Sequence, residues 1–281
     1  MMVELSAPLR VTWDLPEGEG AARLLWRKLV EGRVLFVEML VSSAGLPALN
    51  AIGEDLALPG GPRVTLTLSA DLLDQLLNCG EWLSKVSVNI LPPYSGDCGK
   101  LVGRVKEICL ALWSTPEGLL EFEGAIGIAK ELGWAISILN PHAKAVALKD
   151  EDRANAQKKW REAGEPSSVS LRVHDLFLSE ALGLDPFASY AGCAGASTLA
   201  HLTHAGKLVA CRTLPLELGD LLDSSLADIW KMEGRGRVAK VLSGTPEECL
   251  ACSLAGSCGG GCPGLAPGAG LMDSSCAGVR D

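Results

Sequence analysis

No stretch of the 281 residues reaches the ~18 uninterrupted apolar positions that a membrane-spanning helix requires. The most apolar region, VLFVEMLVSSAGL, is broken by Glu38 and two serines, which fits a buried strand running into its loop. A basic surplus is missing as well. Twenty-five Lys and Arg stand against 34 Asp and Glu, a net charge of −9, and a chain without a basic face is a poor partner for nucleic acid. The opening MMVELSAPLR has neither the positive start nor the apolar core of a secretory signal, so a cytoplasmic location is expected. Among catalytic signatures, G-x-S-x-G, H-E-x-x-H and the phosphate-cradling P-loop are absent, and no acidic spacing marks a carboxylate pair. GEGAAR puts Arg23 where a dinucleotide fingerprint has its third glycine, so it reads as a turn and helix start; PGGP (59–62) reads as a turn.

What is there falls into two grammars. Up to about residue 150, strand and helix patterns alternate. PLRVTWDL, RVLFVEML, RVTLTLS (63–69), KVSVNILP and WAISILNP read as strands, rich in Val, Ile, Leu and Thr. Ala21 to Val30, ADLLDQLLNCGEWL and GKLVGRVKEICLALW read as helices. This order predicts an α/β fold with a parallel sheet covered by helices, curved into a partial barrel, over residues 1–150. Residues 151–189 are expected to form a linker with a bridging helix, since KDEDRANAQKKWREAGEP (149–166) is charged, helical in pattern and stopped by Gly164 and Pro166.

Residues 190–281 read as a small, loop-rich domain. STLAHLTHAGKLVACRTL predicts a β-hairpin with Gly206 in its turn. SSLADIWKM predicts a helix capped by Ser225, with Asp228 three residues on, and a second short helix runs through RVAKVL. GSCGGGCPGLAPGAG holds too few apolar residues to fold by burial alone, so an inorganic centre is expected to tie it down.

Cysteine first occurs at position 79. Cys79, Cys98 and Cys109 are scattered and read as core thiols, whereas seven cysteines fall between 193 and 276. In a reducing compartment, such a concentration points to metal more than to disulfides. Cys249, Cys252, Cys258 and Cys262 stand at C-x2-C-x5-C-x3-C, followed by Pro263. Zinc sites generally use two C-x2-C knuckles; this run has one, and is closer to the ferredoxin run C-x2-C-x2-C-x3-C-P. Local spacing therefore favours iron–sulfur over zinc, and over no ligand role at all.

Upstream lie Cys193, Gly206 and Cys211 as C-x12-G-x4-C, then LGDLLDSSLADIW, the four-cysteine run and a lone Cys276. Cysteine for cysteine, this resembles the SPASM domain appended to radical S-adenosylmethionine (SAM) enzymes that mature peptides, sulfatases and small redox cofactors. The resemblance implies two [4Fe–4S] clusters, one held by Cys249, Cys252, Cys258 and Cys276, the other by Cys193, Cys211 and Cys262. An eighth cysteine of some members is missing, so the second cluster implied has an open iron for water, a peptide group, His201 or His204; the plainer reading of both histidines is a strand-end or turn residue. Those enzymes also carry C-x3-C-x2-C after the first barrel strand, and here that loop reads PEGEGAARLLW, without cysteine. The resemblance thus extends to SPASM-only partner proteins of Geobacter-type peptide-modification systems. It implies a degenerate radical-SAM-like barrel that does not bind S-adenosylmethionine and a non-catalytic partner of a radical SAM/SPASM maturase or its peptide substrate, relaying electrons or binding substrate. The alternatives are a redox or radical enzyme acting through the open iron, and a zinc- or cluster-stapled interaction protein.

Overall fold

The computed structural model describes residues 5–94, 96–142, 146–164, 169–185, 192–268, 270–276 and 278. Among them run ten strands: β1 Arg10–Asp14, β2 Phe36–Leu40, β3 Arg63–Ser69, β4 Ser87–Leu91, β5 Glu107–Trp113, β6 Ala135–Leu139, β7 Leu171–Val173, β8 Leu199–Leu202, β9 Lys207–Val209 and β10 Glu217–Asp220. Their order in the sheet is β10-β9-β8-β1-β2-β3-β4-β5-β6-β7. The β8–β1–β2–β3–β4 and β6–β7 pairings are parallel, and β8–β9–β10 is antiparallel. The α-helices are α1 Glu19–Glu31, α2 Leu46–Leu56, α3 Leu73–Leu77, α4 Phe122–Leu132, α5 Asp150–Glu162, α6 Leu176–Ala181, α7 Leu226–Lys231, α8 Glu233–Leu242 and α9 Ala255–Cys258. The mostly parallel α/β fold expected from the alternating pattern is present. Among the described residues, no helix is long and apolar enough to cross a membrane.

Backbone contacts divide the chain into two units. The first comprises Met1–Cys109, Gly195–Cys211 and Pro215–Ala239; the second comprises Leu110–Ala194, Arg212–Leu214 and Lys240–Asp281. The expected boundary at 189/190 and Pro166 lie outside the described residues.

In the first unit, alternation along each strand separates two faces. Val11, Trp13, Val37, Met39, Leu66, Val88 and Ala200 are buried and join Ala22, Leu25, Trp26 and Leu29 of α1 and Leu49 and Ile52 of α2 in the core. The other face carries polar side chains, brought level by the register Thr12↔His201, Thr12↔Glu38, Glu38↔Thr65 and Thr67↔Asn89. The expected hairpin forms as β8 and β9, and β8 also pairs with β1. Ser225 caps α7 as expected, its Oγ accepting from the Asp228 N–H.

Lys28 ties α1 to the turn before α7: its Nζ donates to the carbonyls of Leu221, Leu222 and Ser224 at 2.7, 2.9 and 3.0 Å. Methionine keeps the aliphatic stem but offers these oxygens nothing. Lys28→Met is therefore expected to lower unfolding stability by about 1–2 kcal/mol, read by denaturant titration.

Two expected helices take other forms. GKLVGRVKEICLALW is a 3-10 turn, Gly96–Leu101, followed by strand β5. Cys109, Leu110, Ala111 and Leu112 are buried in succession, and a strand buried on both faces lacks the alternation that separates it from a helix. ADLLDQLLNCGEWL breaks after α3 at Gly80, whose φ of +133° suits only glycine. Beyond the break, the Trp82 Nε1 donates to the Cys79 carbonyl at 3.0 Å, and its indole lies against Gly53 of α2 where no side chain fits.

In the second unit, α4 and α5 meet through stacked Phe122 and Trp160, with ring centroids 6.1 Å apart. α5 is the expected charged helix, and its Arg153 is buried, donating to the Leu148 carbonyl at 2.9 Å and paired with Asp150. Asp175 caps α6 by accepting from the Leu178 N–H at 2.8 Å, and also accepts from Ser114 Oγ at 2.9 Å.

Candidate metal centre

The cysteine run follows Pro246 as a series of tight turns. The Cys249 N–H donates to the Pro246 carbonyl, that of Cys252 to the Cys249 carbonyl, and that of Cys258 to the Leu254 carbonyl. α9 ends in Gly259, Gly260 and Gly261, with φ of +61°, +89° and +82°. Three left-handed residues in succession reverse the chain within a single turn, which side chains would resist. Cys249, Cys252, Cys258 and distant Cys276 border one small cavity, completed by Ala255, Gly260, Met272 and Gly278. Cys249 and Cys258 are buried, and Cys252 and Cys276 are half-buried. Leu176 and Phe177 of α6 pack with Cys258, and Leu254 and Cys276 lie against them.

The electrostatics set what this cavity can hold. Burial pushes the Cys249 thiol above its ordinary pKa, and the neighbouring sulfurs of Cys276, Cys258 and Cys252 push it further. Burial also raises Cys258, opposed by the nearby backbone N–H groups of Gly260 and Gly261. Four thiolates this close repel one another and can ionise together only around a cationic centre. Among the described residues the lining offers sulfur and no carboxylate or imidazole, a soft donor set that suits iron or zinc. Among the described residues no three His, Cys, Asp or Glu side chains gather as ligands of one ion. The four thiols border a space rather than a single point.

The other expected ligands are distributed over the two units: half-buried Cys193 and Cys262 belong to the second, and half-buried Cys211, just past β9, belongs to the first. Cys98 and Cys109 are buried as expected of core thiols, and Cys79 is half-buried.

His201 has other partners. It is buried on β8, with Nδ1 2.9 Å from Thr12 Oγ1 and Nε2 3.1 Å from Asp14 Oδ2, so both ring nitrogens are engaged within the first unit. His204 is exposed in the turn before β9. A second polar set lies on the same sheet face, where Asn89 Nδ2 donates to Thr67 Oγ1 at 3.2 Å and Thr67 Oγ1 to Glu38 Oε1 at 3.4 Å. Thr67, Asn89 and His201 are all buried, although they occupy a polar face. The signal for these groups was the i, i+2 recurrence of polar residues in RVTWD and RVTLTLS, legible only once the strands are aligned. The β1–α1 loop, Leu15–Gly18, contains no cysteine.

No family model matches the chain, and no curated protein matches it in sequence. Among solved structures it is similar to native anSMEcpe with bound AdoMet, at a TM-score of 0.60 and 15% identity over 98% of this chain and 93% of that one. It is similar also to native anSMEcpe with bound AdoMet and Cp18Cys peptide, at 0.59 and 14% over 98% and 92%. These are structures of an anaerobic sulfatase-maturating enzyme, a radical SAM/SPASM protein. At such identities the likeness is one of fold.

Proposed function

We propose that this chain is an iron–sulfur SPASM protein on a radical-SAM-like scaffold that has lost the radical-generating centre, and that it serves a radical SAM/SPASM peptide maturase as a non-catalytic partner. The observation that carries this reading is a contrast: four thiols border one cavity, while the loop Leu15–Gly18, where the radical-generating cysteines would stand, has none. In this reading residues 1–150 are the degenerate barrel, 151–189 the linker and 190–281 the SPASM module. Cys249, Cys252, Cys258 and Cys276 hold one [4Fe–4S] cluster, and Cys193, Cys211 and Cys262 hold another. Bound clusters of this type supply one-electron carriers.

A role beside peptide maturation is supported by the fold neighbours, one crystallised with AdoMet and a peptide. The shielded polar face of β8–β1–β2–β3–β4 supports substrate binding in the same direction, because buried polar side chains are retained where polar ligands are received. A cytoplasmic setting belongs to the same reading, in which the seven later cysteines serve as metal ligands. S-adenosylmethionine is not expected to bind productively without the missing thiolates.

Anaerobic reconstitution tests the reading. About eight irons and eight sulfides per chain are expected. Zinc without sulfide would overturn it. With S-adenosylmethionine and reductant, 5′-deoxyadenosine is expected to stay at the reconstitution background; production above it would make the chain an enzyme in its own right.

A further inference from the structure

Asp273 is a buried carboxylate in a loop, and both of its oxygens are committed to backbone. Its Oδ2 accepts from the Cys262 N–H at 2.8 Å and its Oδ1 from the Ser275 N–H at 2.7 Å. Its own N–H donates to the Gly260 carbonyl, and its carbonyl accepts from the Cys276 N–H, each at 3.0 Å. Asp273 is 3% exposed, and Gly261 runs so close that a side chain there would meet the Asp273 Cβ at 2.6 Å and Phe177 at 2.8 Å. Taking a carboxylate out of water is costly, so one held this way is expected to fix something in place.

Successive N–H groups show what it fixes. That of Gly261 donates to the Cys258 carbonyl at 3.2 Å, closing a turn beside the four-thiol cavity. The next, on Cys262, is directed at Asp273 instead. The chain thus changes partner between residues 261 and 262, from the Cys258 carbonyl beside the cavity to the Asp273 carboxylate. Cys262 does not border the cavity that its neighbours Cys249, Cys252 and Cys258 share.

We infer that Asp273 is a positioning residue that turns the chain out of the four-thiol centre at Cys262 and so assigns this cysteine to the other ligand set. The inference rests on the two-cluster reading above. The run C-x2-C-x5-C-x3-C together with Cys276 would otherwise offer five thiols to one cubane, which takes four. The carboxylate acts through backbone N–H groups and touches no metal, as outer-shell partners of metal ligands do.

The test compares the parent with Asp273→Ala, Asp273→Asn, Cys262→Ala and the Asp273→Ala/Cys262→Ala double variant. Each is reconstituted anaerobically, assayed for iron and sulfide, and examined by electron paramagnetic resonance after reduction. Asp273→Ala is expected to lose about half the iron, to give the same residual spectrum as Cys262→Ala, and to lose no more when the two are combined. Asp273→Asn keeps one acceptor oxygen and most of the turn, and is expected to retain more iron than the alanine variant. A mere turn stabiliser would not reproduce the spectrum of a ligand deletion. Full iron with both signals unchanged in the alanine variant overturns the assignment, as does loss of the four-thiol signal in the asparagine variant. A parent that fails to hold two clusters overturns the underlying reading instead, and is told apart by its own iron count.

Discussion

Replacing Cys276 with alanine is expected to remove about four irons and four sulfides from a parent holding about eight of each, leaving the signal of the other cluster unchanged. Cys276 is separated from Cys262 by a loop, yet it borders the same cavity as Cys249, Cys252 and Cys258. A cubane deprived of one of four thiolates finds no further thiol there among the described residues, because the rest of the lining is Ala255, Gly260, Met272 and Gly278. Cys258→Ala is expected to match it in iron content and to fold less well, since Cys258 is also packed with Leu176 and Phe177. Cys98→Ala and Cys109→Ala are the controls. Both thiols are buried, Cys109 within β5, so a loss of stability near 1 kcal/mol with full iron content is expected. Iron loss in Cys109→Ala equal to that in Cys276→Ala would sink the assignment of the seven later cysteines as the ligands.

Much of this site was legible in the residues because thiols that hold metal are marked by spacing, and spacing survives in one dimension. Cys249, Cys252 and Cys258 stand close enough in sequence that only a turn is needed to bring them together, and the three positive-φ glycines supply it. Asp273 was not legible. A lone acid in GLMDSSC carries no periodic signal, and its partners are backbone N–H groups that have no letter in a sequence. The strands β1 to β4 were readable where one face is polar, as in RVTWD. β5 was read as a helix because ICLALW is apolar throughout and its period is hidden. The break after α3 was missed for a related reason, since the fit of Trp82 against Gly53 is a tertiary contact and overrides the helical run of LLDQLL. The polar row of Thr12, Glu38, Thr67, Asn89 and His201 depends on register, which parallel strands joined by helices do not announce locally.

Stripping the metal anaerobically with a chelator is expected to loosen one part of the molecule and spare another. Among the described residues between Glu247 and Cys276 the buried side chains are Cys249, Cys258, Leu265, Asp273 and Ser275, of which only Leu265 is a hydrocarbon. The turns there are held by isolated hydrogen bonds such as Cys252 N–H to the Cys249 carbonyl, and loops of this kind open locally at little free-energy cost. Amide exchange over 247–276 is therefore expected to accelerate by about 100-fold or more, while the amides of the buried strand residues Val37, Leu66 and Val88 keep their protection. The stripped protein should also acquire a pH dependence. The Cys249 and Cys258 thiols are held above the ordinary value of 9.0 by burial, so the folded chain keeps protons that the unfolded chain gives up first. Stability of the stripped form is thus complete below about pH 9 and falls as pH rises through the folded thiols' higher values. With the centre in place the thiolates are neutralised by iron, and this alkaline loss should vanish. Exchange that stays slow over 247–276 after complete iron removal would show that packing alone holds the cysteine loop, and would remove the structural reason for a centre there.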